Sequence, residues 1–416
     1  MTDFEIHLSL EGGTRLIGRA RCNRARGKET VHFEYADDWL LDAERFALEP
    51  GLPLTRGGFQ PPTGQAMHGS LGDSAPDTWG RRLMQRAERR QAEREGRAVR
   101  TLMESDYLLG VADETRLGAL RFRPVGGEEF LARRDDGVPT LVKLGALLES
   151  TERILRDQET DDDLRLIFAP GSSLGGARPK ASVIDSQGRL SIAKFPKETD
   201  EYSIETWEEI ALRLAERAGI TTAGHELLQV AGKAVLLSRR FDREPSRRIP
   251  FLSAMAMMSA KDGEGGSYPE MVDVLSSHGA QARKDAHELY RRVAFHVLIS
   301  NVDDHLRNHG FLRRNPLGWV LSPAYDLNPV PVDLKARVLT TNIDLEEGTC
   351  SIGLLESAAG YFALSLADAR KILRQVANAT ARWREVAREV GAAPAEIDRM
   401  ASAFEHEELH QALALS

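Results

Sequence analysis

The sequence predicts an α+β chain of two or three domains, β-rich at first and helical afterwards. Three observations carry that reading. The 416 residues exceed the roughly 100 to 200 of an ordinary domain. Short β-prone runs alternate with turn-forming clusters through the first half. Beyond them, apolar residues recur at helical spacing, most clearly at Leu289, Tyr290, Val293, Ala294, Val297 and Leu298. A composition of 42% hydrophobic and 28% charged residues excludes a disordered or fibrous chain.

Residues 1 to about 125 read as a small α+β unit, with alternation from Val31 to Tyr35 and Gly, Pro and Thr crowded over 50–65. The stretch from Pro76 to Arg100 turns helical and Arg-rich, and admits either a phosphate-binding face or a solvated face supported by Glu88 and Glu93. An acidic stretch from Glu149 to Leu164 predicts a surface segment, which sets domains at 1–150, 151–245 and 246–416. Two β-prone runs then flank Asp185-Ser186-Gln187-Gly188 and predict a hairpin. A helix follows, opened by a Thr206-to-Glu209 capping box and closed by Gly219. Ala234–Leu237 reads as a buried strand, and residues 366–416 as several short helices.

Composition also bounds function. Cys22 and Cys350 are too few and too distant for a disulfide framework or a thiolate metal site, which points to a reducing cytoplasm. The expectation is no export signal and no membrane span, since no run of about 18 apolar residues occurs. With 55 basic against 63 acidic residues the net charge is −8, so any DNA contact is expected to be local or borrowed from a partner.

Three segments carry chemistry. In Ser172-Ser173-Leu174-Gly175-Gly176-Ala177-Arg178-Pro179-Lys180, glycines open backbone N–H groups to a phosphate while hydroxyls and lysine add donors; a plain connecting turn is the other reading. Strand alternation puts Lys194 on one face with Leu190 and Ile192, either facing an anion that Glu208 helps it to hold or reaching water from an edge. In Asp303-Asp304-His305-Leu306-Arg307-Asn308, an aspartate precedes an asparagine by five residues, the spacing of a kinase catalytic loop, and Asp326 follows. A carboxylate at Asp303 can take a hydroxyl proton, while Asn308 and Asp326 offer hard oxygens suited to Mg²⁺; loop caps and ion pairs are the competing account. A further alternative uses His305 and His309, four apart, with Asp303 or Asp304 as ligands of a zinc or iron hydrolase. His296 reads as a core or interfacial histidine rather than a ligand.

In this order the segments resemble the HipA-like serine/threonine kinases of bacterial toxin–antitoxin systems. The family's S-x-x-G-x-Q-x-K loop is met by Ser173, Gly176 and Lys180, with Arg178 in place of glutamine. Its N-E…L-A-x-x-x-G helix is matched by Glu208, Leu214, Ala215 and Gly219, with Trp207 in place of asparagine, and its R-F-D-R run by Arg240, Phe241, Asp242 and Arg243. N-x-D-D-H-x-x-N is complete in Asn301, Asp303, Asp304, His305 and Asn308, and Y-D follows as Tyr325 and Asp326. The amino-terminal part is similar to the family's small β-rich domain through Phe33, Tyr35, Trp39 and Leu40, through Leu108-Leu109-Gly110 and Gly118-Ala119-Leu120, and through Ala75-Pro76-Asp77-Thr78-Trp79-Gly80-Arg81.

The resemblance implies a two-lobed kinase-like body behind that domain, using ATP and Mg²⁺ to phosphorylate a serine or threonine of a protein. It assigns Asp303 as base and Asn308 and Asp326 as metal ligands. Nucleotide contacts fall to Lys194, to the loop residues Ser173, Leu174, Gly175, Gly176, Ala177 and Lys180, to Glu208 and His305, and to a hinge at Arg239, Phe241 and Asp242. It further implies autophosphorylation at Ser173 or Ser172, a helix-turn-helix HipB-like antitoxin that carries the DNA contact, and a target of the aminoacyl-tRNA synthetase kind. The alternative from another class is a catalytically silent kinase-like module that acts as a corepressor through the antitoxin.

Overall fold

The computed structural model describes residues 3–132, 137–168 and 176–416. The chain divides into two compact units, Met1–Glu198 with Leu228–Leu252, and Thr199–Leu227 with Ser253–Ser416. Secondary structure is mixed α and β, as the sequence pattern requires.

The first unit opens with β1 (Asp3–Leu10), β2 (Gly13–Ala25), β3 (Lys28–Tyr35), β4 (Gly58–Phe59) and β5 (Leu120–Pro124), an antiparallel sheet in the order β4-β3-β2-β1-β5. Phe4, Ile6, Leu8, Val31 and Phe33 alternate into its core and are buried. Glu5 and His7, on the opposite face of β1, are buried as well. Glu5 accepts from Arg123 Nε at 3.0 Å, and His7 meets the Phe130 ring edge-on.

Asp77 caps the helix Thr78–Arg94 by accepting from Gly80 N at 2.8 Å. Several arginines of this stretch are neutralised within the chain: Arg81 by Glu104, Arg86 by Asp157 and Glu159, Arg94 by Asp161, and Arg97 by Glu88. Most of these arginines are thus paired with carboxylates remote in the chain rather than supported locally by Glu88 and Glu93, while Arg82 and Arg89 remain exposed on that face. The acidic stretch read as a surface segment marks no division between compact units. It forms the helices Leu144–Leu155 and Asp161–Phe168, and Asp163 is buried, held by Ser150 and Arg153. Leu147, Leu148, Ile154, Leu164 and Ile167 share one core with Trp79 and Leu83 on one side and Ala181, Val183, Phe195 and Val235 on the other. Segments before and after residue 150 thus belong to one packed body.

The second sheet runs β6-β7-β9-β8, from β6 (Lys180–Ile184), β7 (Leu190–Lys194), β8 (His225–Val230) and β9 (Lys233–Arg239). The expected hairpin joins β6 to β7, with Ile184 opposite Leu190. Asp185 Oδ1 accepts from Gln187 N and Arg189 N, and Gly188 supplies the left-handed backbone of the turn at φ +75°.

In the second unit the helix Ile204–Arg217 starts earlier than the capping box predicted. Its cap is Ser203, whose hydroxyl accepts from Thr206 N, while Glu209 is buried against Arg213 and His225. Competition between two Ser/Thr caps three residues apart decides that start. The expected stripe lies on the helix Ala282–Leu298 and is fully buried. Trp207, Trp383 and Phe404 form an aromatic cluster, the last two stacked at 4.7 Å. Short helices fill the carboxy-terminal part from Leu366 to Ala414, as expected. Among the described residues no helix is long and apolar enough to cross a membrane.

Candidate active site

In the second unit the chain leaves the helix Ala282–Leu298 through Ser300, a buried non-glycine residue at φ +53°, and enters Asn301–Asn308. Left-handed backbone costs an L-residue of this kind roughly 1 kcal/mol, so the surrounding contacts must hold it. They do: Val330 N donates to Ser300 O, and the Ser300 hydroxyl donates to Ala403 O. The Asn301 amide oxygen accepts from Asn328 N at 3.1 Å, which ties this loop to the segment carrying Asp326.

The two adjacent aspartates have opposite environments. Asp303 projects outward, its side chain 61% exposed, with Lys335 Nζ 3.4 Å from its Oδ1. Asp304 is fully buried and satisfied on both oxygens. Tyr268 OH donates to its Oδ2 at 2.7 Å and Thr340 N to its Oδ1 at 2.9 Å. The Asp304 carbonyl accepts from Thr341 Oγ1 at 2.6 Å. Burial and then the neighbouring Asp304 carboxylate push the Tyr268 phenol well above its ordinary range, so it remains a donor.

Asn308 is 8% exposed and splits its amide: Nδ2 donates to the Asp303 carbonyl at 2.9 Å, while the buried Oδ1 has no hydrogen-bond partner. An orphaned buried amide oxygen is costly, and a hard cation is the partner that suits it. Asp326 sits at φ +59°, half-buried, and accepts from Asn328 Nδ2 at 3.3 Å. Its neighbour Tyr325 donates to Arg307 O at 2.8 Å, which binds the Tyr-Asp pair to the Asn308 loop. The structure thus gathers Asp303, Asn308 and Asp326 on two mutually bonded segments. His305 is half-buried with Nδ1 unpartnered, and Asn328 Oδ1 is a second orphaned acceptor.

The hydrolase alternative fails on His309. That ring is buried and stacked on His296 at 5.8 Å, with Nε2 against the Asp304 carbonyl at 3.3 Å. Burial and then His296 hold it well below the ordinary histidine range. It is a core histidine, as is His296, and among the described residues no cluster of His, Cys, Asp and Glu is arranged to hold a metal ion by itself.

In the first unit Lys194 stands at the end of β7, directly opposite Lys180 on β6 and Leu236 on β9. Two lysines facing each other across strands would repel. Lys180 is removed from that conflict, because its ammonium bonds Asp77 Oδ2 at 2.7 Å with both side chains buried. Its ammonium is thus held by a buried carboxylate, beside Gly176 of the glycine-rich loop. The expected nucleotide contact of Asp242 is corrected. It is fully buried, takes Gly118 N at 2.7 Å and pairs with Arg240 and Arg243, so its carboxylate is not open to a nucleotide. Arg239 is exposed and Phe241 half-buried against Phe251. Gly176 lies at φ +111° and Ala177 beside it; Ser172, Ser173, Leu174 and Gly175 lie outside the described residues. Glu208 is buried on the helix Ile204–Arg217, in the other unit.

Sequence reasoning missed Tyr268, Thr340 and Lys335. Each reaches the loop from at least thirty residues away, and no local pattern marks such a partner.

Comparison with known proteins gives three findings. The HipA-like C-terminal domain matches residues 172–384, half of the chain. A putative kinase of Haemophilus influenzae is 23% identical over 211 residues, covering 44% of this chain and 61% of that protein. The solved HipA of Shewanella oneidensis, from a toxin–antitoxin complex with HipB and operator DNA, shares the fold at a TM-score of 0.66 and 19% identity, over 99% of this chain and 96% of that one.

Proposed function

The chain belongs to the HipA-like family, and from that premise we propose that it is the kinase of a toxin–antitoxin module, transferring the γ-phosphoryl group of ATP to a serine or threonine of a target protein. The observation that carries the proposal is the trio in the second unit: an outward carboxylate at Asp303, an orphaned buried amide oxygen at Asn308, and Asp326 on strained backbone bonded to the same loop. Asn308 Oδ1 and the Asp326 carboxylate fit Mg²⁺ as hard oxygen donors and are the residues that would hold it. Bound there, the ion would neutralise phosphate charge on ATP.

Asp303 accepts the proton of the acceptor hydroxyl. The hydroxyl oxygen forms its bond to the γ-phosphorus, and the bond from that phosphorus to the β,γ-bridging oxygen breaks with its electron pair leaving on ADP. Asn308 fixes the backbone under the base through its bond to the Asp303 carbonyl. Lys194, at the end of β7 and opposite Lys180 on β6, is proposed as a contact to the nucleotide phosphates. The backbone from Arg239 to Phe241 is proposed as the adenine contact, and Ser172 or Ser173 as the site of self-phosphorylation. The partner proposed is a HipB-like antitoxin, through which DNA is reached; the Shewanella relative was solved with HipB and operator DNA.

The test is incubation with Mg²⁺-ATP, wild type beside Asp303→Asn, with phosphate located by mass spectrometry of the chain and of a cell extract. Phosphate on Ser172 or Ser173, or on an extract protein, in the wild-type sample alone is the expected result. ATP bound without any transfer would sink the kinase and leave the silent module.

A further inference from the structure

We propose that Lys335 is a positioning residue of the phosphoryl-transfer site, whose cation offsets the charge of Asp303 so that this carboxylate and an incoming phosphate can share one site. The inference rests on the kinase reading. A base that takes the acceptor's proton must stand close to the γ-phosphoryl group, and both are negative. Unscreened, that repulsion would work against the reaction at the step where the phosphoryl group moves toward the acceptor.

The catalytic loop does not supply the missing cation itself. Arg307 is turned to Asp262 at 3.5 Å, and His305 is half-buried. Among the described residues the ion pair to Asp303 comes from Lys335, nine residues beyond Asp326, with Nζ 3.4 Å from Oδ1. Its neighbours are committed elsewhere: Asp333 to Arg399 at 2.7 Å, and Arg337 to Glu408 and Ser300. Nor does Lys335 swing on a loose loop. Leu334 N and Lys335 N both donate to Pro331 O, while Thr340 N and Oγ1 both donate to Val302 O, one residue before Asp303. The lysine is therefore carried on a turn closed on Pro331, with Val330 N tied to Ser300 O before it and Thr340 tied to Val302 O after it.

A stability role is a poor account of this geometry. The two side chains are 54% and 61% exposed, and an ion pair so exposed adds little to folding. A cation held by a pinned segment against the one outward carboxylate of the loop is explained by what that carboxylate must approach.

The experiment is a charge series, Lys335→Arg, Lys335→Met and Lys335→Glu, with phosphoryl transfer, Mg²⁺-ATP affinity and melting temperature measured on the full chain beside wild type. We expect kcat to fall in the order Arg, Met, Glu, with Met lower than wild type by roughly tenfold or more and Arg recovering most of that loss. ATP affinity should change by less than about threefold, and Tm by no more than about 2 °C. Met within twofold of an active wild type, or Arg no better than Met, overturns the inference and leaves the kinase standing. A wild type that transfers no phosphate to itself or to any extract protein overturns both.

Discussion

Replacing Lys180 with methionine should destabilise the first unit, because the ammonium that the sequence assigns to a nucleotide loop is the counter-ion of a buried carboxylate. Lys180 Nζ and Asp77 Oδ2 are 2.7 Å apart, with side chains 3% and 4% exposed. Breaking such a pair from one side costs about 3–5 kcal/mol, since the remaining charge stays buried. Lys180→Met should lie near the low end. Asp77 keeps the Gly80 amide at 2.8 Å, and burial already pushes its carboxyl above the usual range, so it can escape by taking a proton. Asp77→Ala strands the lysine and removes the helix cap as well, which adds about 1 kcal/mol. The double variant should recover about 2 kcal/mol of the summed losses, as coupled neighbours do. Hydrogen exchange of peptides covering 78–94 and 180–194 reads the local opening free energy. Fluorescence of Trp79, whose Nε1 donates to Lys180 O at 3.1 Å, follows the same region during denaturation. Two single variants each within about 1 kcal/mol of wild type, combining additively, would refute the reasoning.

Three further outcomes are expected. Asn308→Ala should weaken ATP binding when Mg²⁺ is present and leave binding in EDTA unchanged, measured by calorimetry, because the orphaned Oδ1 is the atom removed. Asp304→Ala takes from the buried Tyr268 OH its 2.7 Å acceptor, leaving His296 Nδ1 at 3.4 Å, and should destabilise the second unit by roughly 1–3 kcal/mol, seen as a lower melting temperature. Acid should loosen the first unit. Arg97 and the Arg100 amide bring the Glu88 carboxyl down to about 2, and at Asp242 the arginines Arg240 and Arg243 outweigh burial and do the same. Carboxyls held below their unfolded values of about 4 contribute stability that is complete above that pH and lost as pH falls toward 2. Melting curves between pH 5 and pH 2 should therefore be steeper in wild type than in Glu88→Gln, and equal slopes would count against the assignment.

What the sequence made legible is what lies close together in it. Asn301, Asp303, Asp304, His305 and Asn308 span eight positions, so spacing alone could express the chemistry proposed for them, and Asn308 Oδ1 is left without a hydrogen-bond partner. The hairpin at Asp185, the stripe on Ala282–Leu298 and the strand at Lys233–Arg239 were readable for the same reason, since turn residues and periodicity are local signals. Lys180 and Asp242 were assigned to the nucleotide because motif position names a residue without naming its partner. Those partners are Asp77, 103 residues away, and Gly118, 124 residues away.

The pair Asp303-Asp304 shows the limit most sharply. Two identical side chains, adjacent in the chain, differ from fully buried to mostly exposed, and with that from a structural hub to the base proposed above. Nothing in their order says which is which. The division is made by Tyr268, Thr340 and Thr341, which satisfy Asp304 from elsewhere in the second unit and thereby fix the direction in which the loop must present Asp303. A buried carboxylate with both oxygens engaged has little freedom to rotate. The outward one inherits its orientation from that rigidity, and the segment that ends in Thr340 and Thr341 is the same one that carries Lys335 to it. Proposed base, hub and counter-ion are in that sense one construction, and on that proposal a change at Asp304 should disturb phosphoryl transfer even where the fold survives it.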